Sequence, residues 1–366
     1  MRTRRNTGQR DSGLPRIDRV KHVRLDAGRV LIVSAGFEDR TLAWRDVISV
    51  TQPGRCIVLT YLPFDRRNRE TDVAAAVTSA GLELRIVEFD RYQPESFELS
   101  LRSAIADARS VVVDASTMSK LALLLCLAVC DDLDLDLDVL YTEAQEYGPS
   151  KAELDAAVAA GDVHRPSVQV YTGVHGVMRV ARLSSVAMQG QPTAAVAFMS
   201  FNEYLTQALV DAVYPSRLFL INGRPPRLTW REQATFMIHD QLVREWPLED
   251  NPVRTDADGT VTYGRSTSTL WYAETVSLLF DLYWQIATDY RVLLAPTGSK
   301  MQTLGCYIAR AAHPDIHIEY PTPKSFFDFY STGIAESWRV RFGKFGSFVN
   351  RVRETERRRL IKSILA

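Results

Sequence analysis

Residues 111–128 read VVVDASTMSKLALLLCLA and residues 292–309 read VLLAPTGSKMQTLGCYIA. Each is a run of apolar and β-branched residues, a short loop dense in hydroxyls, then Ser-Lys opening an apolar segment of helical period. A continuously apolar strand that turns directly into a helix is the building unit of a parallel sheet buried on both faces. Its occurrence twice, with Ser-Lys at 119–120 and again at 299–300, points to a duplicated unit.

The flanking segments repeat in the same order. SAGFEDRTLAW (34–44) parallels FMSFNEYLTQA (198–208), and RCIVLTYLP (55–63) parallels RLFLINGRP (217–225). LDVLYTEAQEY (137–147) parallels IHIEYPTPKSF (316–326), and VYTGVHGVMRV (170–180) parallels FYSTGIAESWRV (329–340). The offset is 162 at Arg55/Arg217 and 180 at Lys120/Lys300, so an insertion of about 18 residues is expected, supplied by the turn-rich DNPVRTDADGTVTYGRSTS from Asp250 to Ser268. Strands are expected at 29–36, 55–62, 82–89, 110–116 and 135–142, then at 194–200, 217–223, 290–296 and 316–321. Helical stretches fill 38–49, 67–80, 94–108 and 117–130, then 202–213, 229–245, 268–287 and 299–312. The reading is an α/β protein of two tandem Rossmann-like parallel-sheet units related by internal duplication, with a basic C-terminal helix. The expected division is a basic extension at 1–28, one repeat at 29–182, a second at 194–340 and a basic helical tail at 341–366.

Composition agrees with a globular chain and excludes several classes. The 366 residues are 46% hydrophobic and 24% charged, with 44 Lys+Arg against 44 Asp+Glu. The longest apolar stretches, such as Leu121–Cys130, are about half of what a bilayer-spanning helix needs. The polar, basic start MRTRRNTGQRD has no apolar core and is not a secretory signal, so the expected compartment is the cytoplasm. Cys56, Cys126, Cys130 and Cys306 sit in apolar runs without metal-ligand spacing, and the histidines form no ligand pattern. Neither a metal nor a cofactor is expected. The neutral total conceals basic ends: RVRETERRRLIKSILA closes the chain, and the acid lies inside, as in DDLDLDLD at 131–138. Arg351, Arg353, Arg357, Arg358 and Arg359 form a candidate surface for nucleic acid, a protein partner or an acidic patch of the protein itself.

In an open parallel sheet the ligand crevice lies beyond the carboxyl ends of the strands. The fourth-strand loops place Ser116, Thr117, Ser119 and Lys120 there in one unit, and Thr297, Gly298, Ser299 and Lys300 in the other. Hydroxyls, a lysine and the free N–H groups of a helix start make an anion site, with phosphate the natural guest. The same residues also serve as ordinary helix caps. The first-strand loops add Gly36, Phe37 and Glu38 in one unit and Ser200 and Asn202 in the other, and Asn222 ends a second strand. Neither GxxxxGK[ST] nor GxGxxG is present, which sets aside P-loop hydrolysis and the dinucleotide fingerprint.

The strand followed by Thr297, Gly298, Ser299, Lys300 and Met301 resembles the CRISPR-associated Rossmann-fold (CARF) sensors, and the fusion of two such units resembles the SAVED sensors of anti-phage signalling. The first copy departs from the pattern, with Asp114, Ala115, Ser116 and Thr117 in place of the glycine-bearing run. The resemblance implies a nucleotide or cyclic-oligonucleotide sensor or adaptor of a bacterial defence system, with its ligand between the repeats and a protein partner carrying the effector activity. Two alternatives stay open in the sequence: a phosphodiesterase or ring-nuclease-like hydrolase using the same crevice, and a DNA- or RNA-binding subunit acting through the arginine-rich ends. Whether the protein is an enzyme is likewise open.

Overall fold

The structure is a computed structural model and describes residues 13–165, 167–255, 257 and 261–365; side chains beyond residue 359 are not described. The basic stretch 1–12 of the expected extension therefore lies outside the described residues. The main elements of the first half are β1 (Ile17–Arg19), β2 (Arg29–Ser34), β3 (Gly54–Leu62), α1 (Glu70–Ser79), β4 (Leu82–Asp90), α2 (Pro94–Ala104), β5 (Ser110–Asp114), α3 (Lys120–Asp132), β6 (Asp136–Thr142), α4 (Lys151–Ala159) and β7 (Tyr171–Arg179). Those of the second are β8 (Thr193–Phe198), α5 (Tyr204–Val213), β9 (Arg217–Arg224), α6 (Trp230–Arg244), β10 (Ser266–Ser268), α7 (Tyr272–Ile286), β11 (Arg291–Ala295), α8 (Lys300–Ala312), β12 (His317–Phe326), β13 (Ser337–Lys344) and α9 (Phe345–Leu365).

Apart from the edge strand β1, both large sheets have the same order. One runs β1-β13-β6-β5-β2-β3-β4 and the other β7-β12-β11-β8-β9-β10. In each, five parallel strands stand in the order fifth, fourth, first, second, third, which is the Rossmann-like arrangement of a duplicated unit. The sixth strands are exchanged. β7, from the first half, pairs antiparallel with β12, whereas β13, near the C-terminus, pairs antiparallel with β6. The third strand of the second unit, β10, lies inside the stretch expected to be only an insertion, beside a hairpin of Val253–Thr255 and Val261–Tyr263. Its Ser-Thr-Ser sequence carries no apolar run to announce it. The helix expected at 38–49 is instead a 3-10 turn over Asp39–Leu42, a short helix Trp44–Val47 and a strand Ile48–Val50.

One continuous apolar core joins the halves, because α3 and α8 pack on each other and α9 packs on both. Every residue from Leu121 to Cys130 is buried. A helix apolar on all sides needs such a position, between a sheet and other helices. Phe345, Phe348, Val349 and Val352 bury one face of α9 there, and Tyr307 of α8 donates to Asp131 of α3 at 2.8 Å. All four cysteines are buried. Of the Asp-Leu alternation at 131–138, Asp131 and Asp132 close α3 and only residues 136–138 enter β6, where Asp138 is buried, paired with Arg29 at 2.7 Å and Arg339 at 3.7 Å. Among the described residues no helix is long and apolar enough to cross a membrane.

Candidate functional site

The order of each sheet reverses between its first and fourth strands, and the loops that leave those strands face a cavity of about 340 Å³ shared by the two halves. That volume is in the range of small-molecule sites, roughly 300–1,000 Å³. Gly36, Phe37, Glu38, Thr117, Ser119 and Lys120 line it from one unit; Ser200, Thr297, Gly298, Ser299 and Lys300 line it from the other. Ser116, Asn202 and Asn222 are buried behind it. Ser116 donates to Asp114 and accepts the Thr142 N–H at 2.8 Å. The Asn202 amide is held by the Tyr171 carbonyl and the Tyr204 N–H, and Asn222 bonds Glu232, Gly223 and Thr235.

Much of the hydroxyl chemistry expected of the loops is spent on holding them. Thr297 donates to the Phe198 carbonyl at 2.6 Å and accepts the Phe198 N–H at 2.9 Å, tying the fourth strand to the first. Thr117 reaches the Ser34 carbonyl at 3.3 Å in the matching place. Ser119 and Ser299 cap α3 and α8, and Ser299 forms a capping box with Gln302. A Cβ at Gly298 would collide with Gln302 Oε1 and come within 2.8 Å of Phe198 Cβ, so glycine is needed for the loop's own packing. Asp114, part of the first copy's departure from the glycine-bearing run, does not line the cavity: it is buried against Ser116, and burial raises its pKa.

The lysines are what the loops present to the cavity. Lys120 reaches across to the opposite unit, donating to the Thr297 carbonyl at 3.1 Å with its ammonium 5.9 Å from the Tyr320 ring centroid. Burial in the cavity wall, with Lys300 nearby, pushes the Lys120 ammonium down to about 7. Lys300 is pushed down to about 8 by burial, opposed by Glu38 and aided by Arg40, both of the opposite unit.

Arginines absent from the sequence expectation close the cavity. Arg227 donates to the Ala144 and Gln145 carbonyls, both at 3.3 Å, and Arg231 to those of Tyr147, Gly148 and Pro149 at 2.9, 2.9 and 3.1 Å. In return, Arg67 and Arg91 of the first half hold the Phe326 and Lys324 carbonyls at 2.7 and 3.0 Å. The arginines of the second unit thus hold the loop after β6, and those of the first unit the end of β12, so that each roofs the cavity from the other side. A signal for Arg67, Arg227 and Arg231 existed in the aligned arginine-bearing loops LPFDRRNRE (62–70) and GRPPRLTWRE (223–232), whereas Arg91 lies outside them. Arg40 is buried, paired with Glu38 at 2.8 Å and bonded to the Thr142 carbonyl.

Eight cations line the cavity, Arg40, Arg67, Arg91, Lys120, Arg227, Arg231, Lys300 and Lys324, against the carboxylates Glu38, Asp65 and Glu143. Only Arg40 and Arg67 are ion-paired among the described residues. Aromatic rings from both halves, including Tyr61, Phe89, Tyr141, Tyr147, Tyr320 and Tyr330, complete the wall. No group of metal-ligating side chains occurs among the described residues. The C-terminal arginines stand elsewhere. Arg353 donates to the Ala311 carbonyl at 2.8 Å at the end of α8, Arg359 pairs with Asp281 and Arg358 with Glu354, while Arg351 and Arg357 are exposed.

No protein-family model matches the sequence, and no curated protein matches it. Among solved structures, the chain is similar to a Type III CRISPR defence DNA nuclease activated by cyclic oligoadenylate, with TM-score 0.44 and 8% identity over 77% of this chain. The match spans 63% of that nuclease, less than two thirds of its length. It is also similar to Can2 from Sulfobacillus thermosulfidooxidans in complex with cyclic tetra-adenylate, with TM-score 0.24 and 11% identity over 79% of this chain and 95% of that one. A periplasmic ribose ABC transporter from Conexibacter woesei aligns with TM-score 0.21 and 14% identity, over 73% and 72% of the two chains.

Proposed function

We propose that the protein is a sensor or adaptor that binds a nucleotide or cyclic oligonucleotide between its two repeats and passes the signal to a protein partner in a bacterial defence system. The observation that carries this reading is the excess of unpaired cations in an aromatic-walled cavity. A buried cation without a counter-ion is costly, and a ligand bearing several phosphates supplies the missing charge. The tyrosine and phenylalanine rings suit the flat bases of the same ligand. The roof supports the signalling part: Arg91, Arg227 and Arg231 are held there by neutral carbonyls, with no ion pair among the described residues, and phosphate is a stronger partner for a guanidinium, so ligand entry competes for the contacts that join the halves.

The test is thermal shift and calorimetry with cyclic di-, tri-, tetra- and hexanucleotides, their linear counterparts and mononucleotides. A shift of several degrees with a phosphodiester ligand, lost in Lys120→Ala, is the expected result. No shift with any member of the panel would sink the reading. Mass analysis after prolonged incubation with the tightest ligand separates a sensor, which returns it intact, from a hydrolase.

A further inference from the structure

Glu38 is one of three carboxylates, with Asp65 and Glu143, in a cavity lined by eight cations. It is only 6% exposed and lines the cavity wall. One carboxylate oxygen, Oε2, takes the Arg40 guanidinium at 2.8 Å and the Ser331 hydroxyl. The other, Oε1, has no hydrogen-bond partner among the described residues, yet it is not among the side-chain oxygens sealed from solvent. It is therefore open toward the cavity. Its counterpart in the duplicated unit, Asn202, has both amide atoms bonded to backbone and does not reach the cavity. The open carboxylate belongs to one half alone.

A carboxylate repels phosphate, so the part of a ligand that meets Glu38 is not a phosphate; a lone carboxylate oxygen in a low-dielectric wall calls for an N–H donor. Tyr141, Tyr147 and Tyr330 line the same cavity, which suits a flat ring. Resting on the nucleotide reading above, we propose that Glu38 is a specificity residue that accepts a hydrogen bond from the exocyclic amine of a base. The ligand is consequently read asymmetrically, with amino-bearing bases such as adenine or cytosine selected at this half. A carbonyl in the amine's place sets two acceptors against each other.

The experiment compares cyclic tetranucleotides of adenine with those of hypoxanthine, and of cytosine with uracil, by calorimetry. Wild-type protein is expected to bind the amino member of at least one pair about tenfold or more tightly. In Glu38→Gln that preference falls to about threefold or less, while its melting curve shows a folded protein. Equal wild-type affinity within both pairs overturns the proposal without any variant, and so does a preference that survives Glu38→Gln in folded protein. A preference that instead follows removal of the ribose 2′-hydroxyl would assign Glu38 to the sugar and overturn the base assignment. If no nucleotide of any kind binds, the parent reading has failed instead.

Discussion

Lys120 and Lys300 begin equivalent helices behind equivalent serine caps, yet they face different neighbours. Lys300 points to a unit that supplies Glu38, whereas Lys120 meets a carbonyl and the face of Tyr320. Two divergent positions of the duplication contribute, glutamate at 38 against asparagine at 202 and arginine at 40 against tyrosine at 204. Glu38 partly offsets the burial of Lys300, which is pushed down to about 8, while Lys120 is pushed down to about 7. Duplication has kept the bracing of the loops and let their charges diverge, so one lysine is already partly answered and the other awaits an anion. With the tightest nucleotide found, Lys120→Ala should weaken binding by roughly a hundredfold and Lys300→Ala by about tenfold, read by calorimetry. The reverse order would break the comparison.

The loops differ in their tolerance of a side chain as well. Met118 occupies the place of Gly298 and is fully buried. At Gly298 a methyl group would meet Gln302 and Phe198, disturbing the cap of α8. Gly298→Ala should destabilise the protein by about 2 kcal/mol in chemical denaturation, through overpacking and loss of the capping geometry. A neutral result would mean that the second loop has slack like the first.

How much of this was legible follows from the same two loops. The parallel units and the position of the crevice were readable, because apolar strands running into Ser-Lys leave a pattern twice over. The division of labour inside the loops was not. A Thr-Gly-Ser run before a helix reads alike whether its hydroxyls serve a ligand or the neighbouring strand, and only the 2.6 Å contact of Thr297 with the Phe198 carbonyl decides it. The exchange of β7 and β13 was equally hidden, since each sixth strand has a suitable partner in either unit and proximity of the two sheets makes the choice. Three of the roof arginines, Arg67, Arg227 and Arg231, were present in the aligned second-strand loops, but charge in a loop usually means solvent, and their carbonyl partners lie far along the chain.

Protonation gives a sharper test of the two lysines. Burial lowers the Lys120 pKa to about 7, so above that pH the free protein holds it neutral, while a bound phosphate requires it charged. Affinity should therefore fall about tenfold between pH 6 and pH 8, with a proton taken up on binding at the upper end, seen as a buffer-dependent calorimetric enthalpy. Lys120→Ala should flatten most of that profile. The stability of the free protein moves the other way: between about 7 and the usual lysine range the unfolded chain binds the proton and the folded one does not, so stability rises with pH there. If affinity is flat over this range, Lys120 is not the anion's principal contact.

The smallest expected effects concern the brace that duplication preserved. Thr297 is buried and satisfies both the N–H and the carbonyl of Phe198. Thr297→Val leaves the N–H without a partner in a dry site, which should cost about 1 kcal/mol. Thr117 makes the matching contact with Ser34, but it is half-buried at the cavity wall, where water can replace the lost bonds. Thr117→Val should cost about 0.5 kcal/mol, measured as the shift in denaturation midpoint at constant slope. Losses of this order at both positions, larger at 297, would identify the threonine brace as the common element of the two units. A loss of ligand affinity at Thr297→Val without loss of stability would instead return that hydroxyl to the ligand and make the two loops more alike than their hydrogen bonds indicate.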